Sequence, residues 1–180
     1  MTTEAATEAT PIAQRYEGPR RTATDAERKA LASTIRLRIL RACLDEAMTN
    51  RQIAERLASN PATVLHHIRT LVAAGFLVAL PARRGTRGAR EVPYLATGKS
   101  WFMDVGPMSR DVLLATFLEE VAAVGEAHLS SSRIGLRLSE VEWEEFHRRL
   151  HGLLDEYAQR PSTPGATRWS VYVGLHPEQP

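Results

Sequence analysis

The sequence has little of what disulfide-built, metal–thiolate or membrane proteins require. Among 180 residues Cys43 is the single cysteine, which excludes a disulfide framework within the chain and argues against a cluster of metal-binding thiolates. No apolar run approaches the roughly 20 residues that cross a bilayer, and the N-terminal segment lacks the apolar stretch of a secretory signal. We therefore expect a protein of the reducing cytoplasm, without a membrane partner and with Cys43 buried.

Charge is nearly balanced overall, at +2, but is unevenly distributed along the chain. Residues 24–100 contain 13 Lys and Arg against 6 Asp and Glu, a balance of +7, whereas residues 101–180 contain 7 against 12, a balance of −5. Residues 1–23 carry three of each sign without a hydrophobic period, so we predict a disordered tail there. The asymmetry indicates that residues 24–100 meet a polyanion and that residues 101–180 have another role.

The stretch from Thr49 to Gly75 predicts two short helices joined by a tight turn. Thr49 with Gln52 three residues later is a capping-box pattern, and Asn60 before Pro61 is typical of a second helix start. The second helix has an apolar stripe and, opposite it, small, hydrogen-bonding and cationic side chains. Such a face suits the major groove of DNA, and the alternative is an ordinary helical hairpin with a solvated face.

After Gly75 the pattern predicts a β-hairpin. A short apolar strand runs from Phe76 to Leu80, and a returning strand ends near Ala96. The connection between them carries four arginines around two glycines: Arg83, Arg84, Arg87 and Arg90. A basic hairpin beside a helix pair is typical of a wing, whose arginines follow phosphates or enter a narrow minor groove. An inert loop is the alternative, and the density of positive charge favours the wing.

Four runs in this region resemble successive motifs of the ArsR-type winged helix-turn-helix regulators: RLRIL (36–40), IAERL (53–57), ATVLHHI (62–68) and LVAAGFL (71–77). The resemblance covers about residues 30–100. It implies a dimeric DNA-binding transcription regulator that reads a two-fold operator in double-stranded DNA. His67 is similar to a family histidine next to the core, so we expect it to be partly packed. The residues expected at DNA are Thr49, Arg51, Asn60, Ala62, Thr63, Leu65, His66, Arg69, Arg83, Arg84, Arg87 and Arg90.

Metal sensing is not expected from the resemblance. The segment from Asn50 to Ala58 has neither cysteine nor histidine where metal-sensing family members often carry a cysteine pair. His147, His151 and Asp155 lie at four-residue spacing on one face of a predicted helix, which is a geometry that can bind a divalent metal. The alternative is a polar flank of that helix, and we expect neither a metal nor another cofactor.

The acidic half predicts a helix from about Arg110 to Leu129 whose apolar stripe is typical of a dimerisation element, with an internal core helix as the alternative. The candidate dimerisation residues are Leu113, Leu114, Phe117, Val121 and Val124. Residues 133–138 and 168–175 alternate apolar and polar side chains and predict strands on either side of a helix from Glu140 to about Gln159. This half can also hold the site of an unidentified small-molecule effector.

Together these patterns predict an α+β, mostly helical protein. A disordered tail (1–23) precedes a winged helix-turn-helix DNA-binding domain (24–100), and a dimerisation or effector-sensing region (101–180) ends in a small strand-helix-strand appendage. The predicted function is sequence-specific transcription regulation by a cytoplasmic homodimer, most simply a repressor, and no nucleophile–base pair indicates an enzyme. The alternative is a winged-helix module for protein–protein interaction without DNA binding.

Overall fold

A computed structural model of the chain describes residues 18, 20–85, 88–163 and 165–178, and it confirms the mixed helix and strand composition. The helices in these ranges are α1 (Asp25–Leu31), α2 (Thr34–Ala42), α3 (Asn50–Arg56), α4 (Pro61–Ala73), α5 (Pro107–Val124) and α6 (Glu140–Ala158). The strands are β1 (Arg21–Thr22), β2 (Met48–Thr49), β3 (Leu77–Ala79), β4 (Arg83–Arg84), β5 (Arg90–Glu91), β6 (Pro93–Ala96) and β7 (Met103–Asp104). Short 3-10 helices span Lys99–Phe102 and Glu126–His128. Within the described ranges, each helix is too short or too polar to cross a bilayer.

The core lies where α2, α3 and α4 meet the sheet strand β3. Each element contributes its apolar side: the most completely buried side chains are Ile39, Cys43, Ile53, Val64, Ile68, Leu71 and Phe76. These residues recur at helical spacing on the inner faces of the helices, which is why the polar positions between them face outward. Burial of the apolar side chains stabilises the helix pair, since helices of seven and 13 residues would be marginal in water alone.

The main sheet has the strand order β2-β6-β3, and both pairings are antiparallel. Met48 lies opposite Tyr94 on one side of β6, and Leu77 lies opposite Ala96 on the other. The predicted hairpin is therefore present, with its returning strand ending at Ala96. A second pairing, β4 with β5, extends the hairpin beyond the sheet.

The N-terminal segment differs from the predicted tail at its last residues. Residues 1–17 and 19 lie outside the described residues, but Arg21 and Thr22 form β1, which pairs in parallel with β7. The amide of Ala23 then donates to the carbonyl of Asp104. This pairing joins segments about 80 residues apart, and it rests on backbone hydrogen bonds that no hydrophobic period in residues 1–23 could indicate.

The two strands predicted around α6 are not formed. Residues 133–138 and 168–175 are exposed and belong to no strand, whereas α6 begins as predicted, with a capping box between Ser139 and Glu142. Alternating side chains specify extended backbone, but a strand also needs a hydrogen-bonding neighbour. Neither segment has one among the described residues, so the strand-helix-strand prediction is wrong in its strands.

Residues 168–172 lie along the rest of the protein instead. Arg168 forms an ion pair with Asp45 at 3.3 Å, and the Ser170 hydroxyl donates to Glu120 at 3.1 Å. The ring of Tyr172 stacks on Phe117 with centroids 5.3 Å apart. The even-numbered side chains therefore hold this segment against α5 and the end of α2, whereas Trp169 and Val171 are largely exposed.

Glu27 is the best-enclosed acid among the described residues, and it joins three parts of the chain. Its carboxylate accepts from Arg21 at 2.7 and 2.9 Å, from the Thr24 amide at 2.8 Å, and lies 2.6 Å from the Lys99 ammonium. The hydrogen bond from Arg21 is the main reason that the pKa of Glu27 lies far below its usual range. Burial acts in the opposite direction, and the hydrogen bonds from Lys99 and Thr24 lower the pKa further. The carboxylate thus ties β1, α1 and the segment after β6 together in its charged form.

We expect Glu27→Gln to lower the free energy of unfolding by about 2 kcal/mol at neutral pH, because two cations lose their charged partner. The pKa of Glu27 is depressed on folding, so its contribution is present above the ordinary glutamate pKa of 4.5 and is lost as pH falls through the folded pKa. The stabilities of the variant and the wild type should therefore converge as pH drops below 4.5 in urea unfolding experiments.

Glu144→Gln is the matched control, since Glu144 is exposed on α6. It should leave stability within about 0.5 kcal/mol of wild type. An equal loss in the two variants, or a Glu27→Gln loss that does not vary with pH, would contradict the structural role of Glu27.

Candidate DNA-binding surface

Helix α3 is positioned by the capping box predicted at its start. The Thr49 hydroxyl accepts from the Gln52 amide at 3.3 Å, and the Gln52 side chain accepts from the Thr49 amide at 2.8 Å. Thr49 is only 4% exposed, so it orients the helix and does not present its side chain to solvent. The expectation that its side chain faces DNA is therefore corrected, because the hydroxyl is occupied in the cap. Arg51, one residue into the helix, is exposed and pairs with Glu55 at 2.8 Å.

The turn between α3 and α4 is built from caps on both sides. The Asn60 side chain accepts from the Ala62 amide at 2.8 Å, and Pro61 occupies the first helical position, as predicted. The Asn50 side-chain amide donates to the Pro61 carbonyl at 3.1 Å and so links the starts of the two helices. Asn60 is exposed but its oxygen is engaged in the cap, which sets the direction in which α4 leaves the turn.

Helix α4 divides into a buried and an exposed face as the sequence predicted. Val64, Ile68 and Leu71 are fully buried. Four side chains on the opposite face are exposed: Ala62, Thr63, His66 and Arg69. Leu65 is half-buried at the edge between the two faces. The exposed set begins in the first turn of the helix, where small side chains allow close approach and the helix dipole favours an anion.

His67 lies on the flank of α4 and is half-buried, as the resemblance implied. Its Nδ1 atom is buried and has no hydrogen-bond partner among the described residues. Burial, with the charges of Arg36 and His66 adding to it, lowers the pKa of His67. The burial therefore favours the neutral imidazole, on a side chain that lies at the edge of the core.

The hairpin beyond the sheet presents arginines on both strands. Arg83 lies opposite Glu91, and Arg84 lies opposite Arg90. Arg83, Arg84 and Arg90 are exposed, and Arg87 lies outside the described residues. The hairpin bends tightly, since the Gly85 amide donates to the Ala89 carbonyl at 2.8 Å.

Four exposed arginines of α4 and the hairpin are unpaired within the described residues. The guanidinium groups of Arg69, Arg83, Arg84 and Arg90 have no ion-pair or side-chain hydrogen-bond partner in the described part of the chain. By contrast, Arg36 donates to the carbonyls of Lys29 and Ala30 at the end of α1. Cations without a partner are available to an external anion at little cost of broken contacts.

The residues predicted for dimerisation fall into two groups on α5. Leu113, Leu114 and Val124 are exposed. Phe117 stacks on Tyr172 and Val121 is half-buried, so these two face their own protomer, because residues 168–172 lie along that side of the helix. Leu118, which the apolar spacing did not single out, is 56% exposed and lies one turn beyond Leu114.

The histidine pair on α6 comes together, but the predicted triad does not. The Nε2 atoms of His147 and His151 are 3.1 Å apart. Asp155 accepts from the Trp101 indole at 2.9 Å and from Arg20 at 3.1 Å instead of facing the histidines. Among the described residues no three metal-binding side chains form a group.

Cys43 is buried at the end of α2, as predicted, and burial raises the pKa of its thiol to about 12. Its carbonyl accepts from the Ala96 amide at 2.9 Å and so ties α2 to β6 behind the helix pair. The residue is a core side chain with a protonated thiol at neutral pH.

Residues 31–78 match the family model of a helix-turn-helix domain. The match begins in α1 and ends in β3, so it contains α3, the turn and α4. With the hairpin that follows, the chain has a winged helix-turn-helix architecture. No curated protein matches the sequence.

Several solved structures are similar to the chain at low identity. The homodimeric winged helix-turn-helix DNA-binding domain of a possible ArsR-family transcriptional regulator from Mycobacterium bovis is 21% identical, over 59% of this chain and 85% of that one, with a TM-score of 0.34. MepR of S. aureus in complex with DNA is 15% identical over 74% and 80% of the two chains, with a TM-score of 0.29. The zinc-responsive MarR family member ZitR from Lactococcus lactis is 22% identical over 76% and 77%, with a TM-score of 0.29.

The helices α3 and α4 end in the same C-terminal capping motif, but the residue in the left-handed conformation differs between them. After α3, the amides of Ala58 and Ser59 donate to the carbonyls of Glu55 and Ala54. After α4, Gly75 and Phe76 donate in the same way to Val72 and Leu71. The motif needs a left-handed residue, and φ is +49° at Ala58 and +73° at Gly75. Only Gly75 adopts it without a side-chain penalty.

We expect Ala58→Gly to raise the free energy of unfolding by about 0.5–1 kcal/mol, because glycine removes the penalty of the left-handed conformation. Gly75→Ala is the matched variant at the equivalent position of α4, and it should lower stability by about 1 kcal/mol. Urea unfolding of both variants measures the effect. A loss of stability in Ala58→Gly would contradict the described turn.

Proposed function

We propose that the protein is an ArsR-like, sequence-specific DNA-binding transcription regulator that acts as a homodimer, most simply as a repressor. The observation that carries this proposal is a helix-turn-helix with two exposed features. One is the exposed face of α4, and the other is the set of unpaired arginines on β4 and β5. Small and hydrogen-bonding side chains suit the major groove of DNA, and cationic side chains beside them suit the phosphates at its edges.

Each part of this surface has a distinct role in the proposed complex. The first turns of α4 enter the major groove, where Thr63 and His66 reach base edges and Ala62 permits close approach, with Leu65 at the margin. Arg69 and Arg51 contact phosphates beside the groove, and the Asn60 cap fixes the entry angle of the helix. The wing residues Arg83, Arg84, Arg87 and Arg90 hold the adjacent backbone or minor groove.

The proposed dimer is formed through α5. Leu113, Leu114, Leu118 and Val124 are exposed apolar side chains on this helix. A second copy that covers them would place two α4 helices on one duplex, and their separation would select a two-fold operator. Selection of bound duplexes from a random pool, followed by footprinting, would identify that operator.

A protein-interaction module is the alternative class of function. It would need apolar anchors on the exposed face of α4 and on the wing, where the side chains are instead small, polar or cationic. An enzyme is not expected, because the described part of the chain shows no pairing of a nucleophile with a base, and Cys43 is a buried core side chain with a raised thiol pKa.

Replacing Arg83, Arg84 and Arg90 together by Ala should weaken binding to all duplexes to a similar extent. If each arginine neutralises one phosphate, the slope of log affinity against log salt should flatten by about 2–3. Fluorescence anisotropy with one selected and one unrelated duplex, at several salt concentrations, measures both quantities.

The matched control replaces Arg133, Arg137 and Arg148 by Ala, which removes the same charge from the exposed C-terminal half. This control should keep the wild-type slope. If the two triple variants lose affinity and slope equally, the effect is one of net charge and the wing is not a DNA contact.

The double variant Leu114→Asp and Leu118→Asp should be monomeric in sedimentation at concentrations where the wild type is dimeric, because charged side chains resist burial in an apolar interface. Val141→Asp is the control, since Val141 is 75% exposed on α6. A dimer that persists in the double variant would place the proposed interface elsewhere.

A further inference from the structure

A cleft of about 850 Å³ lies between the helix-turn-helix region and the C-terminal half. Its walls are the ends of α2 and α3 on one side and α5 on the other, and residues 167–170 cross it. This volume is in the range of small-molecule sites in proteins. No DNA contact proposed above uses it.

One wall of the cleft carries several arginines, and one of them has no ion-pair partner among the described residues. Arg41 pairs with Glu120 at 2.7 Å, and Arg168 pairs with Asp45 at 3.3 Å. Arg38 is half-buried as a residue, and its guanidinium has no ion-pair or side-chain hydrogen-bond partner in the described part of the chain. A guanidinium without a partner is available to an anionic ligand, which would form charge-assisted hydrogen bonds with it.

The other walls are apolar. Leu57 at the end of α3, and Phe117 and Val121 on α5, line the cleft. Trp169 borders it from the crossing segment, and Tyr172 holds Phe117 in place by stacking. Such side chains can contact a hydrocarbon or aromatic group of a ligand, whereas a charged group of the same ligand would contact the arginines.

The acidic side chains at the cleft do not cancel this preference. Glu120 is already engaged by Arg41 and by the Ser170 hydroxyl at 3.1 Å. Glu119 also lines the cleft, but it is exposed on α5 and remains solvated. Partial burial of the Arg168 side chain lowers its pKa, with the nearby charge of Asp45 acting against this shift.

We propose that this cleft binds an amphipathic organic anion. The carboxylate, phosphate or sulfonate group of such a molecule pairs with Arg38, and its apolar body lies between Leu57 and Phe117. The ligand would then contact α2 and α3 on one side and the helix proposed for dimerisation on the other. Binding would therefore change how the two α4 helices of a dimer are spaced, a regulatory consequence that rests on the function proposed above.

The binding test uses two probes with the same apolar body. Anilinonaphthalene sulfonate carries a charged head, and phenylnaphthylamine lacks it. In fluorescence titrations of the full chain, Arg38→Met should weaken binding of the sulfonate by about tenfold and leave the uncharged probe within about twofold. Arg148→Met, at an exposed position of α6, is the control and should change neither.

Equal affinity of the wild type and Arg38→Met for the sulfonate would overturn the proposal, and so would an equal loss for both probes. A second variant guards against misfolding of the first. Ala123→Trp places an indole in the cleft from α5 and should weaken both probes, with the thermal unfolding midpoint as the check on folding. Unchanged binding in this variant would show that the probes bind elsewhere and would also overturn the proposal.

The regulatory consequence is tested separately with a selected duplex. Saturating sulfonate should shift duplex affinity of the wild type at least threefold, and it should have no effect on Arg38→Met. No shift in the wild type would refute the coupling. If the chain binds no duplex but shows Arg38-dependent probe binding, the DNA-binding proposal fails and the anion site stands.

Discussion

The pairing of β2 and β3 on either side of β6 is the constraint on which the rest of the structure depends. β2 ends at Thr49, which is also the cap of α3, and β3 follows α4 after the Gly75 turn. The central strand β6 is thus held by both ends of the helix pair. β6 follows β5 after Val92, so the base of the hairpin is attached to the central strand of the sheet. Two strands and two caps therefore join the helix pair to the base of the basic hairpin.

Arginine serves two different purposes in this fold, and the contacts separate them. Some guanidinium groups hold distant segments together: Arg21 reaches Glu27, and Arg168 reaches Asp45 and the Arg41 carbonyl. Those on the hairpin have no such partner among the described residues. Composition cannot distinguish the two uses, since each adds the same charge. The positive balance of residues 24–100 becomes informative about a polyanion only after the structural arginines are set aside.

Local signals in the sequence predicted the local features of the fold. The Thr49–Gln52 and Asn60–Pro61 caps and the stripe on α4 were all correct, because each depends on residues within one or two turns. Features that depend on distant partners were missed. β1 could not be foreseen from residues 21–22 alone, and Phe117 was assigned to a dimer interface although Tyr172 covers it. Alternation in 168–175 predicted a paired strand, but the segment belongs to no strand.

The extended segment near the C-terminus has two unlike sides, and this asymmetry bears on how the protein assembles. Arg168, Ser170 and Tyr172 attach it to its own protomer, while Trp169 and Val171 are 75% and 70% exposed. Burying an apolar side chain of this size contributes about 1.5–3 kcal/mol to the free energy of folding or association. Two such side chains left in water therefore represent a large fraction of the free energy of unfolding of a typical domain. Apolar side chains on α5 are exposed as well. Exposed apolar side chains in such number are typical of an interface. Because Trp169 also borders the cleft, a partner that covers it would lie next to the proposed ligand site. Assembly and ligand binding would then act on the same few residues.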